Sequence, residues 1–463
     1  MDFTSILIQN GTLLCPQGPL QADLRVEGEK IVEIGPNLPV EGSRVLNAMG
    51  KLVFPGFIDT HTHFEMNKGT IRETADNWES GTKAALAGGT TCVLDFAEPL
   101  RGASLQSALE EWHSRADGHA SCHYGFHMTI KDWDPRILAE IPQMTAQGVT
   151  SYKVYLAYAN IRVSDGVAYE VIKAVGKEGG IVGCHCENGD LIDAAIAELK
   201  SAGKLSPASH PLSHTAVMEA EAVTRWLALA EQAGYPVNVV HLSTQRGLEA
   251  ARQARARGQK VYLESCPQYF TMTEEKYHLP GFESAKYVCA PPLRPQSDVD
   301  ALWEALEKGE IDTIGTDHCS FNYEPTKMLG KDDFSAIPGG IPGTEHRPAL
   351  MYTCGVKSGR ITPHQMMLAL AQHPAQLFGM FPQKGALQVG SDADIVIFDP
   401  DHTWRITAEN QYQRVDYTPY EGMEMAGRTD TVLLDGQVAV EGGKVVAEGL
   451  GRYVHRGPSQ FWR

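Results

Sequence analysis

The strongest candidate chemistry lies in the run Asp59-Thr60-His61-Thr62-His63, which closes the apolar stretch Leu52 to Ile58. Alternate side chains of a strand share a face, so His61 and His63 project the same way and both can reach one cation. Imidazole suits zinc and similar metals. One His-x-His is weak evidence by itself. It gains weight from repetition, because His185 in Cys184-His185-Cys186-Glu187-Asn188, His241 in His241-Leu242-Ser243 and Asp317 in Asp317-His318 each follow a short apolar run. Lys153 sits in Ser151-Tyr152-Lys153-Val154-Tyr155-Leu156, where a buried ammonium is costly unless it is paired or chemically altered. Cys184 and Cys186 flank His185 and by alternation face away from it, as packing residues. Cys319 falls beside the candidate site.

These residues need elements that bring them together. Strand candidates are Val53–His63, Thr90–Phe96, His123–Ile130, Thr150–Leu156, Gly180–Cys186, Val237–Ser243, Val261–Cys266 and Thr313–Cys319. Helical stretches fall between them, among them Thr74–Ala87, Asp165–Lys177, Ser213–Ala233 and Gln245–Arg257. This alternation fits either an open doubly wound sheet or a (β/α)8 barrel. The placement of the polar groups favours the barrel. They fall on strands one, four, five, six and eight, and a barrel gathers such groups at the C-terminal ends of its strands.

Both chain ends carry short β-rich runs joined by Asn10-Gly11, Asp435-Gly436 and Gly442-Gly443, which are hairpin signals. Neither end can bury a sheet face alone. The expected organisation is α/β: a TIM-like barrel over 53–385, and a small β-sandwich domain assembled from 1–52 and 386–450. A basic, aromatic tail follows at 451–463. Glu345-His346-Arg347 reads equally as a loop brace or a surface salt bridge.

Forty basic against 57 acidic residues give a net charge of −17. Such a surface repels phosphate backbones and anionic lipid, so no nucleic-acid or membrane partner is expected. Nine cysteines in 463 residues are too few, and odd in number, for a disulfide framework. With no basic n-region or apolar span at the N-terminus, the expected compartment is the cytoplasm.

Several blocks carry a specific resemblance. Phe54-Pro55-Gly56-Phe57-Ile58-Asp59-Thr60-His61-Thr62-His63, Ser151-Tyr152-Lys153-Val154-Tyr155, His185-Cys186-Glu187-Asn188-Gly189-Asp190, Val240-His241-Leu242-Ser243 and Thr316-Asp317-His318-Cys319 match in series. Together they resemble the amidohydrolase superfamily and, within it, the hydantoinases and dihydropyrimidinases. The resemblance implies two divalent metals, usually zinc. His61, His63 and Asp317 would hold one, His185 and His241 the other, and Lys153 would bridge them as a carbamate made with carbon dioxide (N6-carboxylysine).

It further implies that a water activated between the ions attacks a cyclic amide. Asp317 would take its proton, and Tyr158 would hydrogen-bond the developing oxyanion. Backbone groups at Cys289, Ala290, Gly339 and Gly340 would read the ring. The chain departs from the family pattern in having Ala290 before Pro291-Pro292 and Gly339 after Ile337-Pro338. Glu65, two residues past His63, would repel a substrate carboxylate and speaks against a dihydroorotase. Phe64, Met66 and Tyr155 are candidates for an apolar pocket wall. The implied activity opens hydantoin or dihydropyrimidine rings to N-carbamoyl amino acids. Allantoinase is the rival reading, and a non-catalytic scaffold relative the remote one. By the same resemblance the tail would contact a neighbouring subunit in a homo-oligomer, expected to be a tetramer.

Overall fold

A computed structural model of the chain describes residues 4–462. Eight parallel strands follow one another around a barrel: β1 Phe57–Thr62, β2 Thr90–Ala97, β3 His123–Thr129, β4 Ser151–Tyr155, β5 Ile181–His185, β6 Val237–Val239, β7 Val261–Ser265 and β8 Thr313–Ile314. Sequence neighbours are neighbours in space throughout. The strands are buried on both faces, as parallel strands wrapped by helices must be. The ring closes just above β8, where His63 N donates to His318 O at 3.0 Å and His318 N to His61 O at 3.3 Å. Arg347 stitches the same seam from below. Fully buried, it donates to Ile58 O and Ile314 O at 2.7 Å each and to Thr90 Oγ1 at 2.9 Å. The Glu345-His346-Arg347 run is therefore a brace and not a surface ion pair.

Several expected elements have different limits. The candidate strand Val53–His63 is two strands that part at Gly56. Leu52–Pro55 pairs with Ile395–Phe398, whereas β1 pairs with β2. Gly56 N is spent on Asp394 O at 2.7 Å, and a Cβ at Gly56 would stand 2.0 Å from Thr91 Oγ1. The helix expected from Thr74 begins at Trp78, because Asn77 caps it and Asp76 turns its carboxylate to His318. β6 and β8 end at Val239 and Ile314, short of His241 and Asp317. Those two residues have φ of 41° and 53°, and a left-handed backbone does not continue a parallel ladder.

The chain ends form a four-stranded and a seven-stranded sheet. Ile8, Leu13, Leu24, Val26, Val53, Ile395, Ile397 and Leu433 form one apolar cluster shared by strands of both sheets. Strands from both ends of the chain contribute, because neither set alone covers an apolar face. The tail runs back over the barrel. Val454 N donates to Tyr124 O at 2.7 Å, Arg456 is buried with Nη1 on Ser151 Oγ at 2.7 Å, and Trp462 packs edge-on to Tyr262 at 4.8 Å. Among the described residues no helix is long and apolar enough to cross a membrane.

Candidate metal centre

His61, His63 and Asp317 meet at the C-terminal mouth of the barrel, their ligand atoms all within 4.8 Å of one another. Alternation along β1 turns both imidazoles to one side, where their Nε2 atoms stand 3.2 and 3.1 Å from Asp317 Oδ1. His185, ending β5, and His241, just past β6, form a second pair with Nδ1 and Nε2 3.0 Å apart. The His61 and His241 rings lie 5.5 Å apart, so the two groups share one mouth. Lys153 on β4 is buried there, with its Nζ 5.0 Å from the Phe96 ring and 4.9 Å from the Tyr155 ring. Burial pulls its ammonium below the ordinary lysine range.

Proton positions show what this cluster can bind. His185 Nε2 lies 2.9 Å from Glu187 Oε2. Burial opposes charge on Glu187, yet His214, His185 and Arg294 hold its carboxyl at about 2, so it is an acceptor. The ring proton therefore sits on Nε2, and the Nδ1 lone pair points at His241. His61 Nδ1 is tied to Glu264 Oε1 at 2.7 Å, and Glu264 Oε2 accepts from Thr60 Oγ1 at 2.5 Å. That leaves His61 Nε2 buried without a hydrogen-bond partner while it faces a carboxylate. Lone pairs and carboxylate oxygens converging on a dry space fit a cation between them. Burial would raise Asp317, but His61, His63 and Lys153 outweigh it and hold its carboxyl well below the usual range.

Strain marks the same mouth. Tyr158 joins His241 and Asp317 with a positive φ, 67°, a conformation that costs a non-glycine residue about 1–3 kcal/mol and gathers at functional sites. Tyr158 is 36% exposed, with its ring centroid 5.0 Å from His185. Ala290 and Gly339 face each other, since a Cβ on Gly339 would stand 3.7 Å from Ala290 Cβ. A Cβ on Gly340 would meet Cys319 Cβ at 2.3 Å, so this segment passes beside the residues that follow Asp317. The Cys289 carbonyl accepts from His210 at 2.8 Å, and its thiol donates to Pro291 O. Beside His63 a cavity of about 330 Å³ opens between Phe64, Met66, Phe96, Trp112 and Lys131. Tyr155 is not among the residues around it; it stacks on His185 at 5.7 Å. Glu65 is paired with Lys68 at 2.5 Å.

Sequence reasoning passed over the residues that orient or surround the candidate ligands. Glu264 orients His61, Glu187 orients His185, and His127 bridges Ser151 Oγ and Thr60 O. Glu264 is a charged group in an apolar strand, the same signal that picked out Lys153, whereas His127 shares its strand with His123 and Thr129. Lys327 gave no signal. It opens the short 3-10 helix Lys327–Gly330, yet is fully buried with its Nζ on three carbonyls. A second His/Asp cluster, His123, Asp394 and Asp435, joins β3 to the terminal sheets. Here His123 Nδ1 accepts Arg452 N–H at 3.2 Å, so the ring proton must occupy the nitrogen that faces the carboxylates. Lys384 Nζ already answers Asp394 at 2.6 Å. This is an ion-pair junction and not a metal site.

The chain is similar to known proteins over nearly its whole length. The D-hydantoinase of Geobacillus stearothermophilus is 41% identical over 454 residues, covering 97% of this chain and 96% of that protein. The D-hydantoinase of Ralstonia pickettii is 40% identical over 445 residues, covering 96% of each. The crystal structure of dihydropyrimidinase from Brevibacillus agri NCHU1002 superposes with a TM-score of 0.96 at 39% identity, over 98% of this chain and 99% of that one. The amidohydrolase family matches residues 52–439. With a closed barrel, a histidine–aspartate mouth and full-length similarity to such enzymes, the chain belongs to the amidohydrolase family.

Proposed function

We propose that the chain is a metal-dependent cyclic amidase that opens hydantoin or dihydropyrimidine rings to N-carbamoyl amino acids. The observation that carries this reading is the convergence of His61, His63, Lys153, His185, His241 and Asp317 on one mouth, with His61 Nδ1 held by Glu264 and the His185 ring proton turned outward to Glu187. The relatives' names supply the substrate class. His61, His63 and Asp317 would hold one ion, and His185 and His241 a second. Lys153 would join them as N6-carboxylysine, formed when its amine adds carbon dioxide and loses a proton. Burial that disfavours the ammonium suits that amine. Bound zinc or a similar ion supplies Lewis acidity, which polarises an amide carbonyl and brings the pKa of a water toward neutrality.

The chain's own residues do the rest. Asp317 accepts the proton of the attacking water and returns it to the ring nitrogen as the carbon–nitrogen bond breaks. Tyr158, fixed at the mouth by its left-handed backbone, donates its hydroxyl to the oxyanion. Backbone groups around Cys289, Ala290, Gly339 and Gly340 read the ring's amide edge, and a neutral ring suits a site whose cations are metals. The nine cysteines form no disulfide, in keeping with a reducing cytoplasm. Assembly as a homotetramer follows the family expectation.

The test is turnover of dihydrouracil, phenylhydantoin and allantoin by metal-loaded protein. Opening of either of the first two supports the reading. Opening of allantoin alone would replace it with the allantoinase reading, and loss of all three in metal-replete protein would reject the enzyme.

A further inference from the structure

We propose that Lys327 is the positioning residue that holds the segments 288–290 and 338–340 at their working separation; this rests on the cyclic-amide reading above. Lys327 is fully buried. Its Nζ donates to Val288 O at 2.7 Å, Pro338 O at 2.8 Å and Gly340 O at 2.7 Å. An ammonium has three N–H donors, and all three are spent on two segments fifty residues apart in the chain (338 − 288). Its charge is answered by carbonyl dipoles and not by a carboxylate.

Burying such a group is costly, and a neutral side chain of the same length would fill the space. What a neutral side chain could not do is satisfy three converging carbonyls. Between the segments runs one backbone bond, Gly340 N to Val288 O at 3.0 Å. The second segment continues into Ile341, whose carbonyl accepts from Cys319 N at 3.1 Å, two residues past Asp317. Lys327 thus sets how far residues 288–290 stand from the turn past β8 that carries Asp317. Recognition through backbone groups has no side-chain freedom to absorb an error in that distance, so placement decides binding.

The experiment compares wild type, Lys327→Met and Lys327→Gln as metal-loaded enzymes, using whichever of dihydrouracil and phenylhydantoin the wild type opens. Met fills the space with no donor, and Gln offers two. The expected result for K327M is a KM raised roughly tenfold or more with kcat within about threefold, the signature of lost ground-state binding. Metal content stays at the wild-type level, and K327Q falls between the two. Should K327M not accumulate as folded protein, the raised KM at normal metal content in K327Q carries the test. An unchanged KM in a folded variant, a fall in metal content and kcat at constant KM, or failure of both variants to fold would overturn the proposal. Wild-type protein that opens neither ring fails earlier and separately, by removing the cyclic-amide reading itself.

Discussion

Two largely buried histidine–aspartate clusters lie among the described residues, one with two histidines and one aspartate, the other with one histidine and two aspartates. At the barrel mouth are His61, His63 and Asp317, and at the junction with the terminal sheets are His123, Asp394 and Asp435. Distances between their ligand atoms do not tell them apart. Proton and charge accounting does. At the junction a backbone N–H occupies His123 Nδ1, and Lys384 and Arg452 answer the carboxylates. At the mouth, Glu187 draws the His185 ring proton outward, Glu264 ties down His61 Nδ1, and Asp317 faces two imidazole nitrogens with Lys153 nearby. Donor proximity is common in proteins; a metal site also needs lone pairs turned inward and a cation missing from the count.

The comparison can be broken at either end. The largest effect is expected from Asp317→Asn, which removes the proton acceptor while keeping its shape. Its kcat should fall by about 10²–10⁴ in ring opening, whereas Asp435→Asn should leave kcat unchanged. Lys384→Met removes the buried lysine from Asp394 and leaves Asp392 with the half-exposed Lys30 alone. A loss of about 3–5 kcal/mol in denaturant unfolding is expected, with metal content intact. A smaller loss there would mean that water reaches the junction.

Glu264→Gln keeps the size of the side chain but weakens the orientation of His61. Metal affinity, measured by competition with a chelator, should fall about 10–100-fold without loss of fold. The pH dependence sharpens the contrast further. Burial would raise Asp394, but Lys384 and His123 hold its folded value below that of an unfolded aspartate. A depressed carboxyl contributes stability above its unfolded value of about 3.9, and this is lost as pH falls through the folded value. The Tm should therefore drop as pH goes below about 4, and less steeply in the Lys384→Met/Asp394→Asn double variant. Smallest of all, Lys30→Met at the exposed rim of the junction should cost about 0–1 kcal/mol.

The candidate ligand set was legible because it follows a rule of period. A strand repeats every two residues, so His61 and His63 had to share a face, and a lone lysine in an apolar strand had to have a reason. Glu264 obeyed the same rule and was legible in principle. The break at Gly56 was not, because the space denied to a side chain there belongs to Thr91, thirty-five residues away (91 − 56). Nor were the early ends of β6 and β8, since a positive φ at His241 and Asp317 is imposed by the mouth they build and not by their residue types. Lys327 was beyond reach for a related reason. Its burial is decided by carbonyls that lie 11, 13 and 39 residues away in the chain.

The most direct measurement is metal stoichiometry on reconstituted wild type, Asp317→Asn and Asp435→Asn, read together with ring opening. Two ions per chain in wild type and in Asp435→Asn, with loss of metal and activity confined to Asp317→Asn, is the predicted result. Fewer than one ion per chain in reconstituted wild type, with no ring opening, would contradict it.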